Sequence, residues 1–166
     1  MPSALDKLLV RARRRPDDIV AMTATGETVD AARLAGRVAT LAAMLGGRSS
    51  VVGVLAEDGP DWMVGALAVR AIGATLVPLP LFFSAGQLAF VARDAGLTMI
   101  AVSPSQVARA ADAGLPIAVI EDRCGDTGGL ADQEGGVVAY TSGTTGRPKG
   151  VVLDAGAIDI KALTLA

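Results

Sequence analysis

The chain has 166 residues, of which 51% are hydrophobic and only 3% aromatic, a composition typical of helices packed on a buried sheet. This length suffices for one core and is short for two, so we expect a single α/β domain over residues 1–166. The formal net charge of −2 gives no electrostatic reason to expect a nucleic-acid partner. Because the chain has one cysteine, Cys124, and no histidine, it cannot form an internal disulfide, a Cys/His zinc site or a His-dependent triad.

The sequence shows no segment typical of secretion or membrane insertion. Charges at Asp6 and Lys7 interrupt the N-terminus where a signal peptide needs an apolar run. The most apolar window, residues 63–83, is long enough to span a bilayer but contains Arg70 and two prolines, which favours a buried helix followed by a buried strand. We therefore predict no membrane span and a cytoplasmic location.

The N-terminal residues predict a helix, a hairpin and a second helix. Ser3 and Asp6 form a capping box that begins the first helix, and Pro16 ends it. A glycine-containing turn at residues 25–27 joins two short strands. Asp30 then caps a helix whose apolar residues recur at helical spacing until a pair of glycines ends it.

From Ser50 onward, apolar strands alternate with helices. Asp61 is predicted to cap a helix that begins at Trp62, and Ser84 with Gln87 predicts a capping box for the next one. The predicted strands are 50–56, 73–80, 97–102, 116–120, 137–141 and 151–153, the helices are 62–72, 84–95, 105–113 and one from Ala155, and a polar loop occupies 121–135.

Short connections between alternating strands and helices favour an α/β fold, with a mostly parallel sheet and helices on both faces. Ligands of such sheets bind beyond the carboxyl ends of the strands. The loop that follows Thr141 is expected at this edge. We find no internal repeat or low-complexity segment.

The stretch from Tyr140 to Gly150, YTSGTTGRPKG, is the clearest functional signal in the chain. Its small residues let backbone N–H groups converge on one point, and such concavities bind anions. Hydroxyl side chains and Lys149 add further donors and a positive charge, which together suit a polyphosphate. It is not a Walker loop, because its lysine is followed by glycine instead of Ser or Thr. The alternative is that this stretch is only a flexible connection between two strands of a hairpin, because glycine and threonine are ordinary turn residues.

YTSGTTGRPKG resembles, residue for residue, the phosphate-binding signature of the adenylate-forming superfamily, which includes acyl-CoA synthetases, peptide-synthetase adenylation domains and luciferases. Residues 26–45 and 51–102 also resemble the family's opening helix and next two strand–helix units. The resemblance implies an incomplete portion of the large N-terminal domain of these enzymes. It places seven residues around the β- and γ-phosphates of ATP: Thr141, Ser142, Gly143, Thr144, Thr145, Gly146 and Lys149.

The resemblance implies a ligase that joins a carboxylic acid to ATP, giving an acyl-adenylate and pyrophosphate, and then transfers the acyl group to coenzyme A, as acyl-CoA synthetases of fatty acid metabolism do. Lys149 is the implied catalytic residue, since it would stabilise charge on the departing pyrophosphate together with Mg²⁺. Asp154 and Ala155 stand where family members often carry a hydroxyl residue and a histidine. At these two positions the resemblance therefore does not extend to the family's acyl-binding side.

The family's metal ligand, its adenine and acyl contacts and the lysine of its mobile C-terminal domain lie downstream of Ala166. We therefore expect a fragment of a longer ligase that is inactive by itself. A non-enzymatic module that binds a nucleotide or acyl chain for a partner protein is one alternative, and a purely structural domain is another. Because a fragment leaves apolar surface uncovered and the mean hydropathy is +0.48, we expect self-association. Residues 142–149 should be mobile without ATP.

Overall fold

A computed structural model describes residues 2–48, 50–141 and 147–153. The strands in these ranges are β1 (Ile19–Met22), β2 (Thr28–Asp30), β3 (Val51–Leu55), β4 (Thr75–Pro78), β5 (Met99–Val102), β6 (Ile117–Val119), β7 (Val137–Thr141) and β8 (Lys149–Leu153). The helices are α1 (Ala4–Arg14), α2 (Ala31–Leu45), α3 (Pro60–Ala71), α4 (Ala85–Asp94) and α5 (Val107–Ala111), with short 3-10 turns at Gly46–Arg48 and Pro104–Gln106. The helix predicted from Ala155 lies outside the described residues.

Six strands form one sheet in the order β6-β5-β3-β4-β7-β8, and β1 with β2 forms a separate antiparallel hairpin. All neighbours in the six-stranded sheet are parallel except β7 and β8, which are antiparallel. The hairpin connection between β7 and β8 is too short for a crossover, so β8 must run back along β7. The predicted α/β class with a mostly parallel sheet is confirmed.

Helices cover both faces of this sheet, and the alternation of side chains along each strand divides the core in two. Leu76 of β4 packs with α1, α2 and α3, whereas its neighbour Val77 packs with α4 and α5. Burial on both faces explains why the strands read as continuous apolar runs instead of alternating ones. None of the helices in the described ranges combines the length and apolar character that crossing a membrane requires.

Three predicted helix starts are confirmed by their cap hydrogen bonds. The Ser3 hydroxyl accepts from the Asp6 backbone N–H at 3.1 Å, and the Asp6 carboxylate accepts in return from the Ser3 N–H at 3.0 Å. Ser84 and Gln87 form the same reciprocal box at α4, and Asp30 accepts from the Arg33 N–H at 2.7 Å. These caps satisfy N–H groups that the first turn of a helix leaves unpaired.

The prediction that Asp61 caps α3 is wrong. The helix begins at Pro60, whose missing N–H costs nothing at the first position, and Gly59 is the N-cap with a φ of 122°. The Asp61 carboxylate instead accepts a hydrogen bond from the buried guanidinium of Arg37 on α2, at 2.5 Å. The predicted helix over 105–113 is also shorter than expected, because a 3-10 turn precedes α5 and α5 itself ends at Ala111.

The loop over residues 121–135 lacks regular structure, as predicted, but it is anchored along α2 and α3. Asp122 pairs with Arg33, and the Gly125 N–H donates to the Gly36 carbonyl at 2.8 Å. Further along, Asp132 accepts from Arg70 at 2.8 Å. The segment therefore packs over the helices and leads into β7, which is the outermost of the parallel strands on that side.

Candidate functional site

The predicted phosphate loop leaves β7 at Thr141 and returns at Lys149, the first residue of β8. These two residues are direct partners in the antiparallel register, and both are exposed. Directly opposed residues of an antiparallel pair project from the same face. Because β7 is parallel to β4, this end of the hairpin is the carboxyl edge of the sheet, where ligands of α/β folds gather.

The structure therefore brings together two of the residues predicted to bind phosphate. The other five, Ser142, Gly143, Thr144, Thr145 and Gly146, lie outside the described residues. Their predicted contacts with ATP stay predictions.

Tyr140 anchors the base of the hairpin to α4. It is buried, and its hydroxyl donates a 2.6 Å hydrogen bond to the Asp94 carboxylate at the last residue of that helix. The ring lies over Gly150, its partner on β8, where an added Cβ would sit only 3.0 Å from Cζ of Tyr140. Burial and the nearby carboxylate raise the pKa of Tyr140 to about 12. A side chain at position 150 would therefore crowd the Tyr140 ring, and the ring would have to shift by a few tenths of an ångström.

An open cleft of about 540 Å³ lies beside the returning end of the loop. The first turn of α4 and Phe90 form one wall, and Arg147 and Pro148, which lead into β8, form another. Arg93 adds a second guanidinium to the lining, and both arginines are exposed. Two cations in the cleft, with Lys149 next to Pro148, make this side of the hairpin electropositive and suited to anions.

The crevice between β3 and β5, where the order of connections reverses, is another place where α/β folds bind ligands. Here Glu57, which follows β3, accepts hydrogen bonds from Ser103, Ser105 and, at 2.7 Å, Gln106. Partial burial opposes ionisation of Glu57, but these hydrogen bonds outweigh it and lower its pKa to about 2. The network satisfies the carboxylate locally, so we assign it a structural role.

Sequence reasoning missed both Glu57 and the Tyr140–Asp94 contact. A signal for Glu57 existed, because it follows the buried strand β3 just as Ser103 follows β5. Parallel neighbours end at the same edge of a sheet, so side chains at these two positions can meet.

The described residues at the hairpin do not provide a Mg²⁺ site. Magnesium prefers carboxylate and other oxygen ligands, whereas this edge presents Thr141, Lys149 and two arginines. Across the described part of the chain, no group of three or more His, Cys, Asp or Glu side chains could hold a metal ion.

A mostly parallel sheet covered by helices on both faces, with a hairpin that bears Lys149 at its carboxyl edge, defines the chain as an α/β protein. The family model of AMP-binding enzymes matches residues 8–165. The chain belongs to this family.

Its curated relatives include large synthetases. AMB antimetabolite synthetase AmbB from Pseudomonas aeruginosa is 32% identical over 157 residues, covering 88% of this chain and 12% of the relative. Hybrid PKS-NRPS synthetase thnA from Trichoderma harzianum is 29% identical over 165 residues, covering 92% of this chain and 4% of the relative. The chain is therefore similar to a small part of each synthetase.

Solved structures of adenylate-forming enzymes share the fold. O-succinylbenzoate coenzyme A synthetase from Bacillus subtilis, in complex with AMP, matches with a TM-score of 0.74 and 23% identity over 96% of this chain and 44% of that chain. A fatty acyl-adenylate ligase from L. pneumophila, in complex with acyl adenylate and pyrophosphate, gives a TM-score of 0.78 and 17% identity over 99% of this chain and 32% of that chain. The architecture is that of the N-terminal domain of these enzymes.

Proposed function

We propose that this chain is the N-terminal part of an ATP-dependent ligase that adenylates a carboxylic acid, and that the hairpin from Thr141 to Lys149 binds the phosphates of ATP. The observation that carries the proposal is the pairing of Thr141 with Lys149 across the base of the hairpin at the carboxyl edge of the sheet. The cleft with Arg93 and Arg147 beside it supports an anionic ligand. The solved relative with bound acyl adenylate and pyrophosphate supports the reaction type.

In the proposed reaction a carboxylate oxygen attacks the α-phosphorus of ATP. The new oxygen–phosphorus bond forms as the bond to the β-phosphate bridging oxygen breaks, and the electron pair leaves with pyrophosphate. Lys149 and the backbone and hydroxyl donors of residues 141–146 stabilise the charge that grows on this leaving group. Donors already in place before the reaction favour the transition state, and each contributes about 3 kcal/mol when well placed.

We further propose that coenzyme A accepts the acyl group, as in acyl-CoA synthetases, with Mg²⁺ held by residues outside this chain. The coenzyme A synthetase among the structural relatives supports this acceptor. The curated relatives include synthetases of the hybrid PKS-NRPS type, so the test treats coenzyme A as a separate variable.

The first experiment measures binding of pyrophosphate and ATP to the 166-residue chain by calorimetry. Weak binding is expected, and Lys149→Ala should abolish it, whereas Arg13→Ala, which removes an exposed cation on α1, should leave it unchanged. Equal affinity of the Lys149→Ala and Arg13→Ala variants would contradict a phosphate-binding hairpin.

The second experiment measures ATP–pyrophosphate exchange in a longer ligase that contains this chain. Lys149→Ala should slow exchange about 10²–10³-fold, because one transition-state donor is lost. The isolated chain should show no exchange with any acid, since positioning of the substrates supplies about 7–11 kcal/mol of such a barrier. Exchange that does not respond to Lys149→Ala would overturn the catalytic role, and thioester formation with added coenzyme A tests the acceptor.

A further inference from the structure

The end of the β7–β8 hairpin that carries Thr141 and Lys149 has few ties to the parallel strands. β7 pairs with β4 at one register position, Leu76 with Val137, and this pair lies at the amino end of β7. Beyond Val137, no described residue of β7 has a register partner on β4. The loop end of the hairpin is therefore held to β8 but not to β4.

Pro78 explains why the pairing between β4 and β7 stops. Successive N–H groups of a strand point toward opposite neighbours. On β4, the Thr75 N–H donates to the Ser50 carbonyl next to β3, and the Leu76 N–H donates to the Gly136 carbonyl next to β7. The next N–H toward β7 would belong to Pro78, which has none. The loop end of the hairpin therefore depends on side-chain contacts for its position.

Tyr140 supplies such a contact. Its buried side chain directly precedes Thr141, and its hydroxyl donates to the Asp94 carboxylate at 2.6 Å. Among the described residues, this is the one side-chain hydrogen bond between the hairpin and a helix. The Tyr140 ring also lies over Gly150, its partner on β8. One side chain thus contacts both strands of the hairpin and α4.

The same hydrogen bond connects two parts of the cationic cleft. Asp94 is the last residue of α4, and the preceding Arg93 lines the cleft together with Arg147 and Pro148 of the hairpin. Neighbouring residues of a helix project in directions about 100° apart. Asp94 can therefore hold Tyr140 while Arg93 stays in the cleft.

The charge of Asp94 indicates that it serves Tyr140 and not the ligand. A carboxylate repels phosphate groups, so it has no favourable direct role at an anion site. Burial and the nearby carboxylate raise the pKa of Tyr140 to about 12, so at neutral pH the hydroxyl keeps the proton that it donates to Asp94. The contact is thus intact under the conditions in which ATP would bind.

We infer that Tyr140 and Asp94 are positioning residues of the phosphate site. Their hydrogen bond fixes the loop end of the hairpin against α4, and so holds Thr141 and Lys149 in place before the ligand arrives. Groups that are already in place lose less freedom on binding, which strengthens binding. Both residues act through the hairpin, and the inference rests on the proposed function of that hairpin.

The first measurement reports the position of the hairpin without any ligand. Spin labels are attached at Ala85→Cys, on the exposed first turn of α4, and at Arg147→Cys, in a Cys124→Ser background that removes the only native cysteine. Double electron–electron resonance should give a narrow distance distribution, which Tyr140→Phe and Asp94→Ala each broaden roughly twofold. Asp94→Asn should keep it narrow, because its amide oxygen still accepts the hydrogen bond. An unchanged distribution in Tyr140→Phe would overturn the positioning role.

The second measurement is the affinity of the 166-residue chain for pyrophosphate, by calorimetry. Tyr140→Phe and Asp94→Ala should weaken binding about tenfold, whereas Asp94→Asn should not. Loss of a negative charge would by itself strengthen anion binding, so weaker binding in Asp94→Ala identifies position as the cause. Asp112→Ala, which removes an exposed aspartate at the end of α5, is the matched control and should leave the affinity unchanged.

A further control separates positioning from general stability. Val38→Ala removes two methyl groups from the core on the opposite face of the sheet, so it lowers stability without touching the hairpin. Equal weakening of pyrophosphate binding in Val38→Ala and Tyr140→Phe would show that Tyr140 contributes stability alone. Absence of binding in the unmodified chain would contradict the proposed function, and the distance measurement would still decide whether the contact positions the hairpin.

Discussion

The hydroxyl of Tyr140 donates to Asp94 at the base of the candidate hairpin, and burial together with this carboxylate raises its pKa to about 12. Because Tyr140 is the only tyrosine of the chain, near-ultraviolet absorbance of the phenolate reports its ionisation directly. We expect a midpoint near pH 12 in the folded protein, against the ordinary pKa of 10.0 for a free tyrosine. Asp94→Asn should lower the midpoint but leave it above the ordinary value, since burial persists.

The same contact predicts how stability depends on pH. The folded-state pKa of Tyr140 lies above its unfolded value, so its contribution is complete below pH 10 and is lost as the pH rises through about 12. Urea unfolding of Tyr140→Phe measures this contribution as a difference from the unmodified chain. Identical pH profiles of the two proteins between these limits would contradict it.

At the scale of elements, the segment over 121–135 is attached to the helices by an ion pair between Asp132 and Arg70. Their side chains are 10% and 17% exposed, so the pair is largely shielded from water. Burial alone would raise the pKa of Asp132, but hydrogen bonds, foremost from Arg70, outweigh it and lower the pKa to about 2. Asp132→Asn should destabilise the chain by on the order of 3 kcal/mol in urea unfolding, because it removes the carboxylate charge from a largely shielded ion pair.

The pH dependence of this pair has the opposite sign to that of Tyr140. The folded pKa of Asp132 lies below the ordinary aspartate value of 3.8, so its contribution is complete above pH 3.8 and is lost as the pH falls through about 2. Asp17→Asn, at an exposed turn, serves as the control and should follow the unmodified chain. Equal acid sensitivity of Asp132→Asn and the unmodified chain would show that Asp132 contributes nothing.

At the scale of the whole molecule, the outer strand β8 is the exposed feature that bears on self-association. Val151 and Val152 are 48% and 80% exposed, and among the described strands β8 forms one edge of the sheet. An apolar edge strand is a template for pairing with another chain. We therefore predict self-association of the 166-residue chain, observed by light scattering, and expect Val152→Lys to shift it toward monomer because a charge opposes edge pairing.

The control for this prediction is Met44→Lys, which places the same charge on an exposed apolar site of α2. It should leave the association unchanged. A monomer at high concentration in the unmodified chain would contradict the prediction, and an equal effect of both variants would place the contact elsewhere than β8.

Local chemistry determined much of the architecture. The caps at Ser3, Asp30 and Ser84 follow from side chains that reach the first turn of their own helix, and the buried strands follow from uninterrupted apolar runs. Both signals act over a few neighbouring residues, so the sequence shows them directly. The same local rule failed at Asp61, because a buried arginine from another helix competes for its carboxylate.

The sequence by itself determined the α/β class, the alternating order of elements and, through the resemblance of YTSGTTGRPKG, the family to which the chain belongs. The tertiary structure alone decided which strands are neighbours, that Tyr140 meets Asp94 and that Ser103 donates to Glu57. Each of these two contacts joins residues 46 positions apart. Such contacts form only when strands distant in the chain pair, and no local periodicity encodes which partner a polar side chain then meets.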